Sequence, residues 1–255
     1  MNADAILDVQ VEHGHLKIRE HVGRLLWLAR TVRPDISYAV GVVARYVDSW
    51  NVAAERLLVR VMQYLKVPRE PLEYLRMTSL KISDVSVLGY ADADFAGCPE
   101  TRKSTSGRVT YLVAGGNKYL VDWSSRRQRF VSSSTSESEM AALEEAVQLS
   151  LFPALSFLRS VQEGDYALTL LCDSQVVLRA VEMGYSPKLH HMAVTRATDL
   201  AWIHQVCEKQ KLVRLEYVRT GENVSDLMTK PLFPEGHIRC WTMLRVPQIG
   251  RRSMD

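Results

Sequence analysis

The chain has 255 residues, 47% of them hydrophobic and 24% charged, with a net charge of +3 at pH 7. This composition suits one large or two modest globular domains and excludes collagen, coiled coil and bulk disorder, and any contact with nucleic acid must come from local patches. Cys98, Cys172, Cys207 and Cys240 lack zinc-ligand or redox spacing, so a reduced intracellular protein is expected.

Residues 1–80 read as a mainly helical segment. Val22, Leu25, Leu26 and Ala29 form one helical face, as do Ile36, Val40, Val43 and Val47, and then Ala54, Leu57, Leu58 and Val61. Pro34 and Asp35 suit a first helical turn. Apolar runs such as residues 25–29 fall far short of the ~18 residues a membrane span needs. Residues 1–4 lack the basic start of a signal peptide.

A domain boundary is placed near residue 80, where the period changes. Residues 85–92, 108–113 and 119–123 read as strands, the last two joined through Gly115-Gly116-Asn117. A long helix is expected over 135–161, kinked or broken at Pro153. Residues 168–172 are almost wholly apolar and predict a central, parallel strand. Helices follow from Ser174 and over about 191–209, then a strand over 212–218 and a short helix from Asn223. The resulting fold class is α/β, a five-stranded mixed sheet with helices on both faces. Residues 81–232 form this domain, and 233–255 read as a tail.

Four acids stand at informative places, each with an ordinary structural explanation. Asp92 closes the first strand, where acids commonly start turns. Glu139 has capping-box spacing from Ser136, but Ser134 and Glu137 make an equally good box two residues earlier. Glu139 also shares a face with the apolar Ala142, Leu143 and Ala146, where a carboxylate is costly without a cation. Asp173 suits an N-cap and Asp226 a first-turn acid. If neighbouring strands end on one edge, ~4.8 Å apart, Asp92 and Asp173 meet there. A crossing helix could add Glu139. Such a cluster repels itself unless divalent cations hold it, and oxygen ligands select Mg²⁺, with Mn²⁺ as an alternative.

Several ordered motifs then coincide: Gly89-Tyr90-Ala91-Asp92-Ala93-Asp94-Phe95-Ala96-Gly97-Cys98, Thr101-Arg102-Lys103-Ser104-Thr105-Ser106-Gly107, and Trp123-Ser124-Ser125-Arg126-Arg127-Gln128. Residues 136–143, Leu171-Cys172-Asp173-Ser174-Gln175, Tyr217-Val218, Asp226 and Thr229-Lys230-Pro231-Leu232 continue the series. Together they resemble the ribonuclease H domain of copia-type retrotransposon Pol polyproteins. Upstream, residues 22–28, 33–40 and 64–66 resemble the segment that follows the polymerase palm. The resemblance spans about residues 20–232.

It implies that Asp92, Glu139, Asp173 and Asp226 are catalytic ligands of two Mg²⁺ ions. Asp92 would bridge both ions, Glu139 and Asp173 favour one, and Asp226 the other. Asp94 reads as a turn residue or as a support behind the ligands. The implied activity is hydrolysis of the RNA strand of an RNA–DNA hybrid, with an upstream reverse transcriptase domain as a further partner and no membrane. The Tyr-x-Asp-Asp polymerase signature is missing; Tyr46-Val47-Asp48-Ser49 is half a match on a helical pattern. DNA synthesis is therefore placed outside this chain, which reads as a C-terminal piece of a longer polyprotein or a degenerate copy.

The stretch 219–223 holds no histidine, as is usual in these elements, and His190 and His191 read as surface or capping residues. Thr195 replaces the family's basic residue after that histidine motif. Residues 101–130 carry seven basic side chains against Asp122, whereas 131–165 carry six acids against Arg159. Arg102, Lys103, Arg126, Arg127 and Arg129, with Trp123 as a flat apolar surface, are the candidate nucleic-acid contacts; a solvated hairpin end is the plainer reading. Two further readings stay open. One is a catalytically inactive nucleic-acid-binding or docking remnant of a decayed element. The other is an integrase-type strand transferase, disfavoured by the flanking motifs and by the fourth acid, Asp226.

Overall fold

The structure, a computed structural model, describes residues 15–67, 82–189, 191–196 and 198–245. The chain divides into two units, Met1–Glu70 and Pro71–Asp255. The boundary expected near residue 80 lies outside the described residues.

In the first unit, the apolar spacing produces helices α1 (His15–Thr31), α2 (Ser37–Ala44) and α3 (Val52–Lys66), with a 3₁₀ turn, Pro34–Ile36, leading into α2. Asn51 caps α3 by accepting the Ala54 amide at 3.0 Å. The buried stripe of α1 is Ile18, Val22, Leu25 and Ala29. Leu26, expected inside, is 43% exposed, because one residue rotates it about 100° off that stripe. Asp35 does more than meet a helix end. It is buried, takes two bonds from the Arg33 guanidinium (2.8 and 2.7 Å) and accepts the Tyr64 hydroxyl at 2.6 Å, tying α3 to the turn. Asp48, in the half-matched polymerase motif, pairs with Arg19 at 2.7 Å on an exposed turn.

The second unit is built on strands β1 (Ser86–Ala93), β2 (Thr105–Ala114), β3 (Asn117–Arg127), β4 (Leu168–Cys172) and β5 (Val213–Tyr217). Their order is β3-β2-β1-β4-β5. The first three form an antiparallel meander, and β4 and β5 join parallel to β1. This is the five-stranded mixed sheet expected for this unit, with the apolar β4 inside it as its composition predicts.

Helix α4 spans Thr135–Val161 and buries Met140, Leu143, Val147 and Leu151 in the core shared with Val87, Ala91, Leu168 and Leu170. It is long and apolar enough to cross a membrane by length and composition, but 56% of its most apolar window is buried inside the fold. Pro153 does not break it. The turn over Val147–Leu151 widens to π-helical bonding just before the proline, shifting the ladder where Pro153 brings no N–H. Helix α5 (Gln175–Met183) follows β4.

The single helix expected over 191–209 is two: α6 (Met192–Arg196) and α7 (Leu200–His204), the latter continuing through a wide turn to Lys209. Asp199 starts α7 afresh by accepting the amides of Ala201 (2.9 Å) and Trp202 (3.2 Å). On the other sheet face, α8 (Asp226–Thr229) and α9 (Pro234–Arg245) pack Leu227, Met228, Cys240, Trp241 and Leu244 with Tyr90, Val109, Tyr111 and Trp123. The stretch read as a tail therefore supplies part of a core. Its stripe of only Cys240, Trp241 and Leu244, among Gly236, His237 and Arg239, gives a weak periodic signal.

Candidate metal centre

Strand register sets the first pair of acids. Ala91 lies level with Cys172 across the parallel β1–β4 pair, so Asp92 and Asp173 each stand one residue further, at the same carboxyl edge. Asp92 is also paired with Gly107 of β2. A Cβ at Gly107 would lie 2.5 Å from Thr229 Cγ2, 2.8 Å from Met228 Cβ and 2.9 Å from the Ser225 carbonyl oxygen. The missing side chain thus lets α8 settle on the sheet, which delivers Asp226, Thr229 and Lys230 to Asp92.

Glu139 comes from α4. The competing capping role is taken by its neighbours: Ser134 Oγ accepts the Glu137 amide at 3.3 Å, and the Glu137 carboxylate accepts the Ser133 amide at 3.0 Å and the Ser133 hydroxyl. Glu139 is free for the pocket. It is 7% exposed, and its Oε2 has no hydrogen-bond donor among the described residues. Its carboxylate, the Asp173 carboxylate and the Cys172 sulfur lie within 4.8 Å of one another. Asp173 is not the N-cap of α5, a position held by Ser174. Instead it accepts Asn223 Nδ2 at 3.3 Å, while the same amide reaches the Ala91 carbonyl at 3.1 Å. Asp226 opens α8 and is 4% exposed.

The structure therefore brings all four predicted acids together. Asp92 accepts the Thr229 hydroxyl and lies 3.5 Å from Lys230 Nζ, which sits 2.7 Å from Asp226 Oδ1. Electrostatics record the crowding. Burial, then Asp92 and Asp173, push the Glu139 carboxyl up to about 9. Burial, then Asp92, push Asp226 up to about 7. Burial opposes the charge on Lys230, but Asp92 and Asp226 outweigh it and hold the ammonium well above the ordinary lysine range. Burial, then Glu139, drives the Cys172 thiol upward, so it stays protonated and offers the pocket no charge. Carboxylate oxygens, one of them (Glu139 Oε2) buried with no hydrogen-bond donor among the described residues, thus define the donor set. Such a set fits a hard divalent cation, Mg²⁺ or Mn²⁺.

Asn223, Thr229, Lys230, Gly107 and Cys172 are residues of this site that sequence reasoning did not assign. Lys230 was discoverable, because it stands four residues after Asp226, the spacing of a helical ion pair. Asp94 holds the turn after β1, its carboxylate accepting the Thr105 amide.

Arg126 and Arg127 end β3, opposite Ser106 and Thr105, two strands from the acids at the same edge. Arg102, Arg126 and Arg129 are exposed, and Lys103 and Arg127 are half-buried. Trp123 is a correction. It is 7% exposed and pairs with Val109 inside the core, so its ring offers nucleic acid no surface. The alternation that turns Arg126 to the rim three residues later turns Trp123 inward. His191 Nε2 lies 3.5 Å from Glu137 Oε1, at the start of α4 and apart from the four acids. His190 lies outside the described residues.

No protein-family model matches the chain. The retrovirus-related Pol polyprotein from transposon TNT 1-94 of Nicotiana tabacum is 30% identical over 216 residues, covering 82% of this chain and 15% of the polyprotein. The chain thus spans well under a fifth of that relative. The secreted RxLR effector protein 161 of Plasmopara viticola is 38% identical over 128 residues, covering 50% of this chain and 84% of the effector. Among solved structures, LC11-RNase H1, isolated from compost, superposes with a TM-score of 0.35 at 16% identity, covering 56% of this chain and 92% of that one.

Proposed function

Because the chain belongs to the copia-type retrotransposon Pol polyproteins, we propose that its second unit is a metal-dependent ribonuclease H that cuts the RNA strand of RNA–DNA hybrids. The observation that carries this reading is the meeting of Asp92, Glu139, Asp173 and Asp226 at one sheet edge, with a buried Glu139 oxygen that has no donor among the described residues. Those four carboxylates would hold two Mg²⁺ ions, Mn²⁺ being an alternative. When bound, such ions supply an activated water and stabilise the leaving oxygen of the phosphodiester, giving 3′-hydroxyl and 5′-phosphate ends.

The remaining work belongs to the protein. Thr229 holds one Asp92 oxygen and Asn223 one Asp173 oxygen, so both carboxylates arrive oriented. The apolar side of α4 fixes the depth of Glu139. Arg102, Lys103, Arg126, Arg127 and Arg129 lie on or beside the meander that carries Asp92 and would hold phosphates of the hybrid. The first unit would dock the hybrid or an upstream polymerase domain.

Incubation with a labelled hybrid, duplex DNA or duplex RNA in Mg²⁺ tests the proposal. Cleavage of the hybrid alone, abolished by Asp92→Asn, is expected. Salt-sensitive hybrid binding without turnover would instead favour the inactive remnant, and cleavage that survives Asp92→Asn would remove these acids from the chemistry.

A further inference from the structure

The pocket already contains a cation of its own. Lys230 Nζ lies 2.7 Å from Asp226 Oδ1 and 3.5 Å from Asp92 Oδ2, whereas the ligand atoms of Glu139, Cys172 and Asp173 lie within 4.8 Å of one another and Lys230 acts on Glu139 and Asp173 through charge. An Mg²⁺ ion needs its oxygens at about 2.0–2.1 Å, so an ion shared by Asp92 and Asp226 would take the volume the ammonium fills. Two cations cannot occupy it together.

We propose that Lys230 is a tethered competitor of the divalent ion, guarding the Asp92–Asp226 side while leaving the Glu139–Asp173 side open. This rests on reading the pocket as a metal centre and adds an order to it: the first ion enters beside Glu139 and Asp173, and the second enters only as the lysine leaves. The side chain is built for that exchange. Lys230 follows the last residue of α8 in extended backbone, so its stem can swing without unwinding the helix that carries Asp226. Its side chain is 36% exposed, against 2% for Asp92 and 6% for Asp226, so the head has solvent to enter while the acids stay in place. Before that exchange the ammonium offsets the repulsion between two buried acids.

Titrating the full chain with Mn²⁺, read by electron paramagnetic resonance and calorimetry, tests this without recourse to turnover. The wild type should show one tighter and one weaker ion, and Lys230→Met should tighten the weaker one by about tenfold or more through loss of a neighbouring positive charge. Lys230→Gln, which keeps a polar head, should tighten it as well. If Lys230→Met folds poorly without metal, refolding it in Mn²⁺ and following its unfolding midpoint against Mn²⁺ concentration reads the same affinity. Equal Mn²⁺ affinities in wild type and both variants, or weaker binding in the variants, would overturn the competitor role and leave the metal centre standing. Absence of Mn²⁺ binding in all three would overturn both.

Discussion

Glu139→Gln keeps the size of a buried side chain and deletes its charge. In the folded protein burial, with Asp92 and Asp173 behind it, holds the Glu139 carboxyl at about 9 against an ordinary 4.5. Between those values the folded chain keeps a proton that the unfolded chain has released. Stability is therefore full below 4.5 and falls as the pH rises toward 9. At pH 7 the loss amounts to roughly 3 kcal/mol, and Glu139 is buried enough that solvent does little to reduce it. In EDTA at pH 7 the Gln variant should thus be more stable than wild type, by on the order of 1–3 kcal/mol once its own buried amide is counted. At pH 4.5 that advantage should vanish, leaving the Gln variant level with wild type or less stable by the cost of its buried amide. Mg²⁺ should then reverse the order, because only the wild type presents the full carboxylate set. Urea unfolding followed by circular dichroism at both pH values, with and without Mg²⁺, measures this. A Gln variant less stable than wild type at pH 7 in EDTA would show that Glu139 is already satisfied by its surroundings, and the reasoning would fail.

Gly107→Ala should cost about 1–3 kcal/mol by overpacking, since its Cβ would meet Thr229, Met228 and the Ser225 carbonyl inside 3.0 Å. Hybrid cleavage should fall further than stability does, because α8 would lift Asp226 and Thr229 from Asp92; an unchanged unfolding midpoint with unchanged cleavage would contradict that packing role. Replacing Arg126, Arg127 and Arg129 together by Ala should weaken hybrid binding and flatten its salt dependence by about one phosphate contact per arginine lost. Filter binding across a salt series checks this, and an unaltered slope would move the contact surface elsewhere.

The sheet was legible because its strands carry their own signals: β-branched alternation in β1 and an apolar run in β4. The edge placement of Asp92 and Asp173 follows from those strands alone. What the sequence hid depends on tertiary approach. Gly107, just before the strand expected over 108–113, carries no sign that α8 lies on it, and Asn223 looks like a helix start until its amide is seen joining Ala91 to Asp173. Trp123 beside a run of arginines suggested a nucleic-acid surface, yet strand alternation sends it into the core. The π turn before Pro153 and the restart of α7 at Asp199 are local solutions to backbone bonding. A periodic pattern of apolar residues does not register either. In the C-terminal helix, Trp241 gains its burial from Tyr90, Val109 and Tyr111, residues more than 120 positions earlier.

The central claim is that four carboxylates from separate elements form one divalent-cation pocket. Crystals grown with Mn²⁺ and measured at an energy where manganese scatters anomalously give the most direct answer. Anomalous peaks bounded by Asp92, Glu139, Asp173 and Asp226, lost in Asp92→Asn crystals, are the predicted result. Manganese bound only elsewhere, with Lys230 still paired to Asp92 and Asp226 at saturating metal, would contradict it.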